Sequence, residues 1–373
     1  MSVLKSGQRV LLVSYCFSSD NLAESERAYY LAKTLIEQGI NVDVLTKKNQ
    51  SNLLLEDKID LKCYLPETSL IKNKFLNRLL NPLPDGMFWT FFKSRKYSNL
   101  TGYDYIISTS PPHSLHVVSY YISKSTNTRL IIDLRDAWRE NRLVNYGTVI
   151  HRIISNYIYS RCLKQAYLIM ANTKELKIKI LEHIPDLNII TVPNGYPRDS
   201  FDNLRPIEIL SGQDKKFLYS GGTYGGKAVE VISSLVLANH IEDLRVGYLG
   251  ENIEESSSSE WLGRVVSDDV PSYLMSVDCL ILYMPKRELD SARVLLKSYG
   301  YAKSGKPVLY IGPENATYNF LKKHTYVLRI DEDDVSGFKK AIERIGNKNI
   351  TTRVNKKDFS FEYNFQKHLI SRN

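Results

Sequence analysis

Short apolar runs alternate with helical-period segments along most of the chain. Val10-Leu-Leu-Val13 is continuously apolar, as a strand covered on both faces should be. Ala28, Leu31, Ala32, Leu35 and Ile36 then share one helical face, Gly39 closes it, and Val42-Asp-Val-Leu45 gives a second strand. This is a βαβ opening. Strands are predicted at 105–107, 130–133, 168–171 and 189–192, with a tyrosine-rich helix over 149–166. Pro193-Asn194-Gly195-Tyr196-Pro197 is strong turn chemistry and marks a boundary. The alternation resumes beyond it, with strands at 217–219, 244–249, 279–283 and 308–311, and the tail over 359–370 is amphipathic and helical.

The predicted organisation is an N-terminal Rossmann-like domain over residues 1–195, a C-terminal one over 196–355, and a helix within 356–373 that crosses back to the first. At 373 residues the chain exceeds the size at which single cores usually split.

Composition narrows the partners. Apolar residues make up 43% and charged residues 24%, which are globular values. A net charge of +9 points to nucleic acid, an anionic membrane or a phosphorylated substrate. No RNA-recognition, zinc-finger or helix-turn-helix pattern argues for nucleic acid. Cys16, Cys63, Cys162 and Cys279 are far apart, with no C-x-x-C, which points to neither a zinc site nor a disulfide framework and fits a reducing compartment. The opening apolar run is too short for a signal h-region, and no run reaches a membrane span. G-x-G-x-x-G, H-E-x-x-H and G-x-S-x-G are all missing.

Candidate chemistry gathers where predicted strands end, the ligand side of open α/β sheets. In the first half, Ser108-Thr-Ser-Pro-Pro-His113 with His116, and Asp133-Leu-Arg-Asp136-Ala-Trp138, bring polar groups to such ends. Histidines there serve as structural hydrogen-bonders or as working groups. In the second half, Ser220-Gly-Gly222-Thr223-Tyr-Gly-Gly226-Lys227 joins a strand to a helix expected from residue 229, and its backbone N–H groups can meet a diphosphate. Residues 251–260 read as an exposed acidic, serine-rich loop, followed by Arg264-Val265. Lys297, Ser298, Tyr301 and Ala302 fall at helical spacing before Gly305. That helix is either an ordinary helix–turn–strand connector or one that places Lys297 against phosphate.

Residues 69–97 break the alternation. Apolar residues mix with Lys72, Lys74 and Arg78, then Trp89 lies among phenylalanines before Lys93, Arg95 and Lys96. Basic residues interleaved with aromatics suit an interfacial membrane contact. The other reading is a helix packed on the domain with a solvated basic face.

Over nearly its whole length the chain resembles glycosyltransferase family 4, whose members have the α/β GT-B fold of two Rossmann-like domains facing each other across a crevice. The resemblance rests on six segments in the family's order: 14–46, 108–116, 133–138, 193–195, 219–227 and 297–307. It implies a retaining, metal-independent hexosyltransferase of bacterial surface polysaccharide (O-antigen, capsule, lipopolysaccharide or exopolysaccharide) synthesis. A UDP or GDP sugar would be substrate rather than cofactor, and the acceptor a lipid-linked or other glycan. The implied location is cytoplasmic, peripheral on the inner face of the membrane. Gly222, Thr223, Lys227, Leu295, Lys297 and Ser298 would hold the donor, with backbone at Arg264 and Val265 reading the base. His113, His116 and Asp136 would be catalytic, orienting sugar and acceptor. Arg27 would brace the first loop or face the acceptor, and Lys72, Lys74, Arg78 and Trp89 would meet membrane or acceptor.

The sequence departs from the family where it matters for the ribose. The glutamate three residues after the donor-helix lysine is Gly300, the earlier glutamate is Ala292, and the usual proline two residues before the lysine is Leu295. Glu288, Asp290, Ser298 and Tyr299 are candidate replacements. The first loop reads Asp20-Asn-Leu-Ala-Glu24-Ser25 in place of the family's glycine pair. These departures keep a second reading open, a transferase-like scaffold with a weak or vestigial donor site. A GT-B epimerase finds no acid cluster to support it.

Overall fold

The computed structural model describes residues 3–17, 25–47, 60–66, 69–92, 97, 99–139, 146–202, 204–205, 207–212, 215–255, 258–289, 291–347 and 354–370. Residues 20–24, Lys93, Arg95, Lys96 and Asp290, singled out above, lie outside the described residues. The chain divides into two compact units, Met1–Asn194 with Phe361–Asn373, and Gly195–Ser360.

The first unit runs β1 (Arg9–Ser14), α1 (Glu26–Glu37), β2 (Asn41–Lys47), β3 (Asp60–Leu65), α2 (Lys74–Leu80), α3 (Phe88–Phe92), β4 (Tyr105–Thr109), α4 (Ser114–Thr126), β5 (Arg129–Leu134), α5 (Val149–Gln165), β6 (Leu168–Ala171), α6 (Lys174–His183) and β7 (Ile189–Thr191). Among the described residues these strands form a seven-stranded parallel sheet ordered β3-β2-β1-β4-β5-β6-β7. The order reverses at β1, so the ends of β1 and β4 flank the point where open sheets bind ligands. All five residues of β4 are buried, and β1 and β5 are buried beyond their first residue, which explains their unbroken apolar runs.

The second unit runs β8 (Lys215–Gly221), α7 (Lys227–Ala238), β9 (Leu244–Gly250), β10 (Ser259–Trp261), α8 (Val270–Met275), β11 (Cys279–Tyr283), α9 (Lys297–Ser304), β12 (Val308–Ile311), α10 (Ala316–His324), β13 (Val327–Ile330) and α11 (Val335–Asn347). Its six described strands are parallel in the order β10-β9-β8-β11-β12-β13, reversing at β8. Apolar clusters lie on both sides of this sheet, one holding Leu218, Leu280 and Tyr301, the other Phe217, Ile281 and Phe338. Helix α12 (Phe361–Leu369) belongs to the first unit, where Phe361 stacks on Tyr30 of α1.

The structure corrects several local expectations. β3, α4, α6, α10, β13 and α11 went unnamed in the sequence reading. Helix α7 begins at Lys227 rather than 229. The supposed exposed loop 251–260 ends in β10, whose Ser259 is buried. The amphipathic stretch from residue 69 is helical only over Lys74–Leu80, and that helix buries none of its residues.

Candidate functional site

The second unit builds its site from the ends of β8 and β9 and the starts of α7 and α9. Lys297 is the first residue of α9. Its Nζ donates to the carbonyl of Ser220 at 2.6 Å and lies 3.9 Å from the Tyr219 ring centroid. One turn later Tyr301 accepts from the Ser220 N–H at 3.0 Å and donates to the Ile281 carbonyl at 3.2 Å. Two residues of one helix face thus grip both backbone groups of Ser220. Burial of the ammonium pushes the Lys297 pKa from 10.5 down to about 7.

The turn after β8 is shaped by glycine. Gly221, Gly225 and Gly226 have φ of 92°, 68° and 88°, and Tyr224 joins them at 58°. At such angles only glycine is comfortable. A Cβ on Gly221 would sit 3.7 Å from the Lys297 ammonium, so a longer side chain would cover it. Gly222 is exposed and Thr223 is buried. The Thr223 N–H and hydroxyl both donate to Glu251 Oε2, and Thr223 Oγ1 accepts from the Gly226 N–H. These bonds from Thr223, and then the nearby Arg264 charge, hold the Glu251 carboxyl below its ordinary range. Glu251 is therefore a brace of the glycine turn, a role its place in a presumed loop had hidden.

Lys227 opens α7 but is half-exposed and paired with Glu230 at 2.9 Å. Arg264 is exposed, and Val265 packs on the unit's core. Leu295, expected on the donor side, is half-buried. Its side chain packs on that core and its N–H goes to Thr317 Oγ1 at 3.2 Å. Ser298 is fully buried, and among the described residues its hydroxyl has no partner. Glu288, a candidate for the ribose, is buried and ion-paired to Arg293 at 3.0 Å. A Cβ on Gly300 would meet only Leu274, at 3.6 Å.

In the first unit Arg27 is 1% exposed and Asp133 0%, joined at 2.8 Å. The remaining Arg27 donors reach the Val192 and Pro193 carbonyls and Asn194 Oδ1. All five guanidinium N–H groups are thereby engaged. Of the two expectations for Arg27, brace or acceptor contact, these partners fit a brace, which ties α1 to Asp133 and to the residues after β7.

His116 is sealed, with Nδ1 on Ser108 Oγ at 2.8 Å and its ring 5.8 Å from that of Trp138. Its expected contact with sugar is not available to a side chain with no exposed surface. His113 is half-buried and stacks on Trp138 at 5.1 Å. Burial lowers both imidazoles, His116 strongly, while Asp85 and Asp136 pull His113 back up. Asp85 itself accepts from the Ser114 N–H at 2.8 Å, holding the start of α4. His113 and half-buried Asp136 thus remain together beside a strand end, with Asp85 added. Lys72, Lys74, Arg78 and Trp89 are exposed on the hairpin carrying α2 and α3. No group of three or more His, Cys, Asp or Glu side chains that could hold a metal ion occurs among the described residues.

Comparison with solved structures adds the fold. The chain superposes on sucrose-phosphate synthase of Thermosynechococcus elongatus with a TM-score of 0.66 and 14% identity, covering 96% of this chain and 93% of the other. HepE of Anabaena, solved in complex with UDP-glucose, gives 0.65 and 12% identity over 96% and 98%. A glycosyltransferase of Rickettsia africae gives 0.64 and 14% over 97% and 96%. The fold is GT-B. No family model matches the chain, and no curated protein matches it in sequence. At these identities the GT-B likeness speaks for architecture, and the glycine turn with Lys297 occupies the second of its two α/β units.

Proposed function

We propose that this protein is a retaining, metal-independent hexosyltransferase of the family 4 type, acting in bacterial surface-polysaccharide synthesis. It moves a sugar from a UDP or GDP sugar, with no cofactor, to a lipid-linked or other glycan acceptor at the cytoplasmic face of the membrane. The observation that carries this reading is the Lys297 ammonium, 2.6 Å from the Ser220 carbonyl, beside the positive-φ glycines of the turn. The UDP-glucose held by HepE, a structure of the same fold, supports the donor class.

In this reading the diphosphate lies on the glycine turn and Lys297, which stabilise the charge that develops on the leaving group. Lys227 adds a second cation by releasing Glu230. The acceptor hydroxyl attacks C1 on the face the diphosphate leaves. The new C–O bond forms as the C1–O–phosphate bond breaks, and the acceptor proton passes to the leaving phosphate oxygen. His113 and Asp136 orient sugar and acceptor, and backbone at Arg264 and Val265 reads the base.

Purified protein incubated with a panel of nucleotide sugars should release nucleoside diphosphate, and Lys297→Ala should cut the release at least about a hundredfold while the protein still melts cooperatively. Gly300 favours the rival reading of a scaffold with a vestigial site. Calorimetry that finds no nucleoside diphosphate bound would favour that rival.

A further inference from the structure

Helix α5 is apolar on two opposite faces. Ser155, Tyr159, Cys162 and Leu163 are buried inward. Val149, Ile150, Ile153, Ile154 and Tyr157 recur at i, i+1, i+4, i+5 and i+8, which at 100° per residue is one stripe on the far side. These five stay between 41% and 66% exposed. The stripe ends where Arg161 and Lys164 continue the same face.

Helix α2 lies against the start of α5. The ring nitrogen Nε2 of His151 meets the Leu79 carbonyl at 2.8 Å, and a Cβ on Gly147 would sit 3.2 Å from the Arg78 carbonyl. Four of the seven α2 residues are exposed apolar side chains, Phe75, Leu76, Leu79 and Leu80, with Phe75 74% exposed. The Trp89 indole donates to the Leu80 carbonyl at 2.7 Å, adding a half-exposed ring at the edge. The hairpin is held in this state by its own side chains: Asn73 caps α2, Asn81 binds the Gly86 carbonyl, and Thr90 accepts from the Leu70 N–H. Two segments about seventy residues apart therefore join in one aliphatic and aromatic surface, of a kind folded monomers rarely leave to water.

The charges around it identify what covers it. Lys72, Lys74, Arg78 and Arg152 are exposed there. Residues 69–92 contain one carboxylate, Asp85, already bound to Ser114, and residues 146–167 contain none. A second copy docked face to face would set these cations against their own kind with no acid to offset them. An anionic bilayer takes the apolar stripe into its interfacial layer and the cations at its headgroups.

We propose that α2 and the N-terminal half of α5 form one surface that inserts shallowly into an anionic membrane. This rests on the membrane side of the function above and extends it to α5, a helix the sequence reading placed but did not connect with a membrane. The test is flotation with vesicles of phosphatidylcholine alone and of phosphatidylcholine with phosphatidylglycerol. The native protein floats with the anionic vesicles and is released by salt. Ile150→Glu with Ile153→Glu lowers that binding at least about tenfold. Lys74→Gln and Arg78→Gln each lower it about fivefold. The Ile150→Glu/Ile153→Glu protein keeps native melting and native affinity for nucleoside diphosphate, measured without vesicles. Failure of the native protein to float, or flotation unaffected by the double substitution, overturns the proposal. So does sedimentation showing a dimer that the double substitution splits, because the occupant is then a second copy. Vesicle binding without nucleotide binding refutes the transferase reading alone, and nucleotide binding without vesicle binding refutes the surface alone.

Discussion

Lys297 donates to the carbonyl of Ser220 at 2.6 Å, fastening the first residue of α9 to the end of β8. An ammonium has three N–H donors, and among the described residues only this one is engaged. With the Tyr219 ring against the same ammonium, the proposed diphosphate would meet a donor not used by Ser220. Lys297→Ala should therefore reduce turnover at least about a hundredfold, on the scale of losing a preorganised donor to developing charge. Thermal melting should stay cooperative, because Tyr301 still holds Ser220. Near-native turnover would remove Lys297 from the site.

The same burial makes the site sensitive to pH. With the Lys297 pKa lowered to about 7, the free protein loses this charge as pH rises through neutrality. A bound diphosphate favours the charged form, so binding above pH 7 takes up a proton. Nucleoside diphosphate affinity should fall between pH 7 and 9, and calorimetry in buffers of different ionisation enthalpy should register the uptake. The stability effect has a definite sign. Between the folded value and the ordinary 10.5 the unfolded chain binds the extra proton, so this lysine makes the unliganded protein more stable as pH rises. In Lys297→Met both trends should vanish, and a pH-independent affinity in the native protein would contradict the account.

Arg27 and Asp133 form a buried pair with every guanidinium donor satisfied, and Asp133 also accepts from Thr109 Oγ1 at 2.9 Å. Removing one partner strands the other charge. Arg27→Met and Asp133→Asn should each cost about 3–5 kcal/mol in urea unfolding. A loss below about 1 kcal/mol, the size of an exposed pair, would mean that the network is open to water.

What the sequence revealed and what it concealed have physical causes. β1, β4, β8 and β11 were legible because parallel strands buried on both faces read as plain apolar runs. β3 alternates, with Leu61, Cys63 and Leu65 spaced by Lys62 and Tyr64, so a search for apolar runs passes over it. Helix α4 puts Ser114, His116, Ser119 and Ser123 at buried positions, which blurs its period. The outer stripe of α5 was hidden because both of its faces are apolar. The glycine turn and Lys297 could be read from local spacing. The Thr223–Glu251 brace spans 28 residues and the Arg27–Asp133 pair 106, and no local pattern carries such contacts.

His113 and His116 give the first unit an acid-sensitive element. Both are held below the ordinary histidine value of 6.5, chiefly by burial. Below that value the unfolded chain binds protons that the folded one refuses, so stability falls as pH drops from 6.5. His116→Asn should flatten the loss of urea midpoint between pH 6.5 and 5, whereas an unchanged slope would assign the acid sensitivity to other groups. Asp85→Asn should lower the His113 pKa further, seen in its ring-proton titration, since the carboxylate raises it now.

Gly300 is the sharpest test of the donor site. It lies one turn beyond Lys297 on α9, where the resemblance places a carboxylate that binds both ribose hydroxyls. A side chain there has room, since its Cβ would meet only Leu274 at ordinary contact distance. Replacing a helical glycine also removes a penalty of about 1 kcal/mol. Gly300→Glu should therefore raise the melting temperature slightly. It should also tighten nucleoside diphosphate binding about tenfold or more, the worth of one charge-assisted hydrogen bond. The gain should disappear with a 2′,3′-dideoxynucleoside diphosphate, which cannot make the contact. If affinity instead stays level or weakens while the fold is intact, the native chain holds the ribose by a group other than one at position 300.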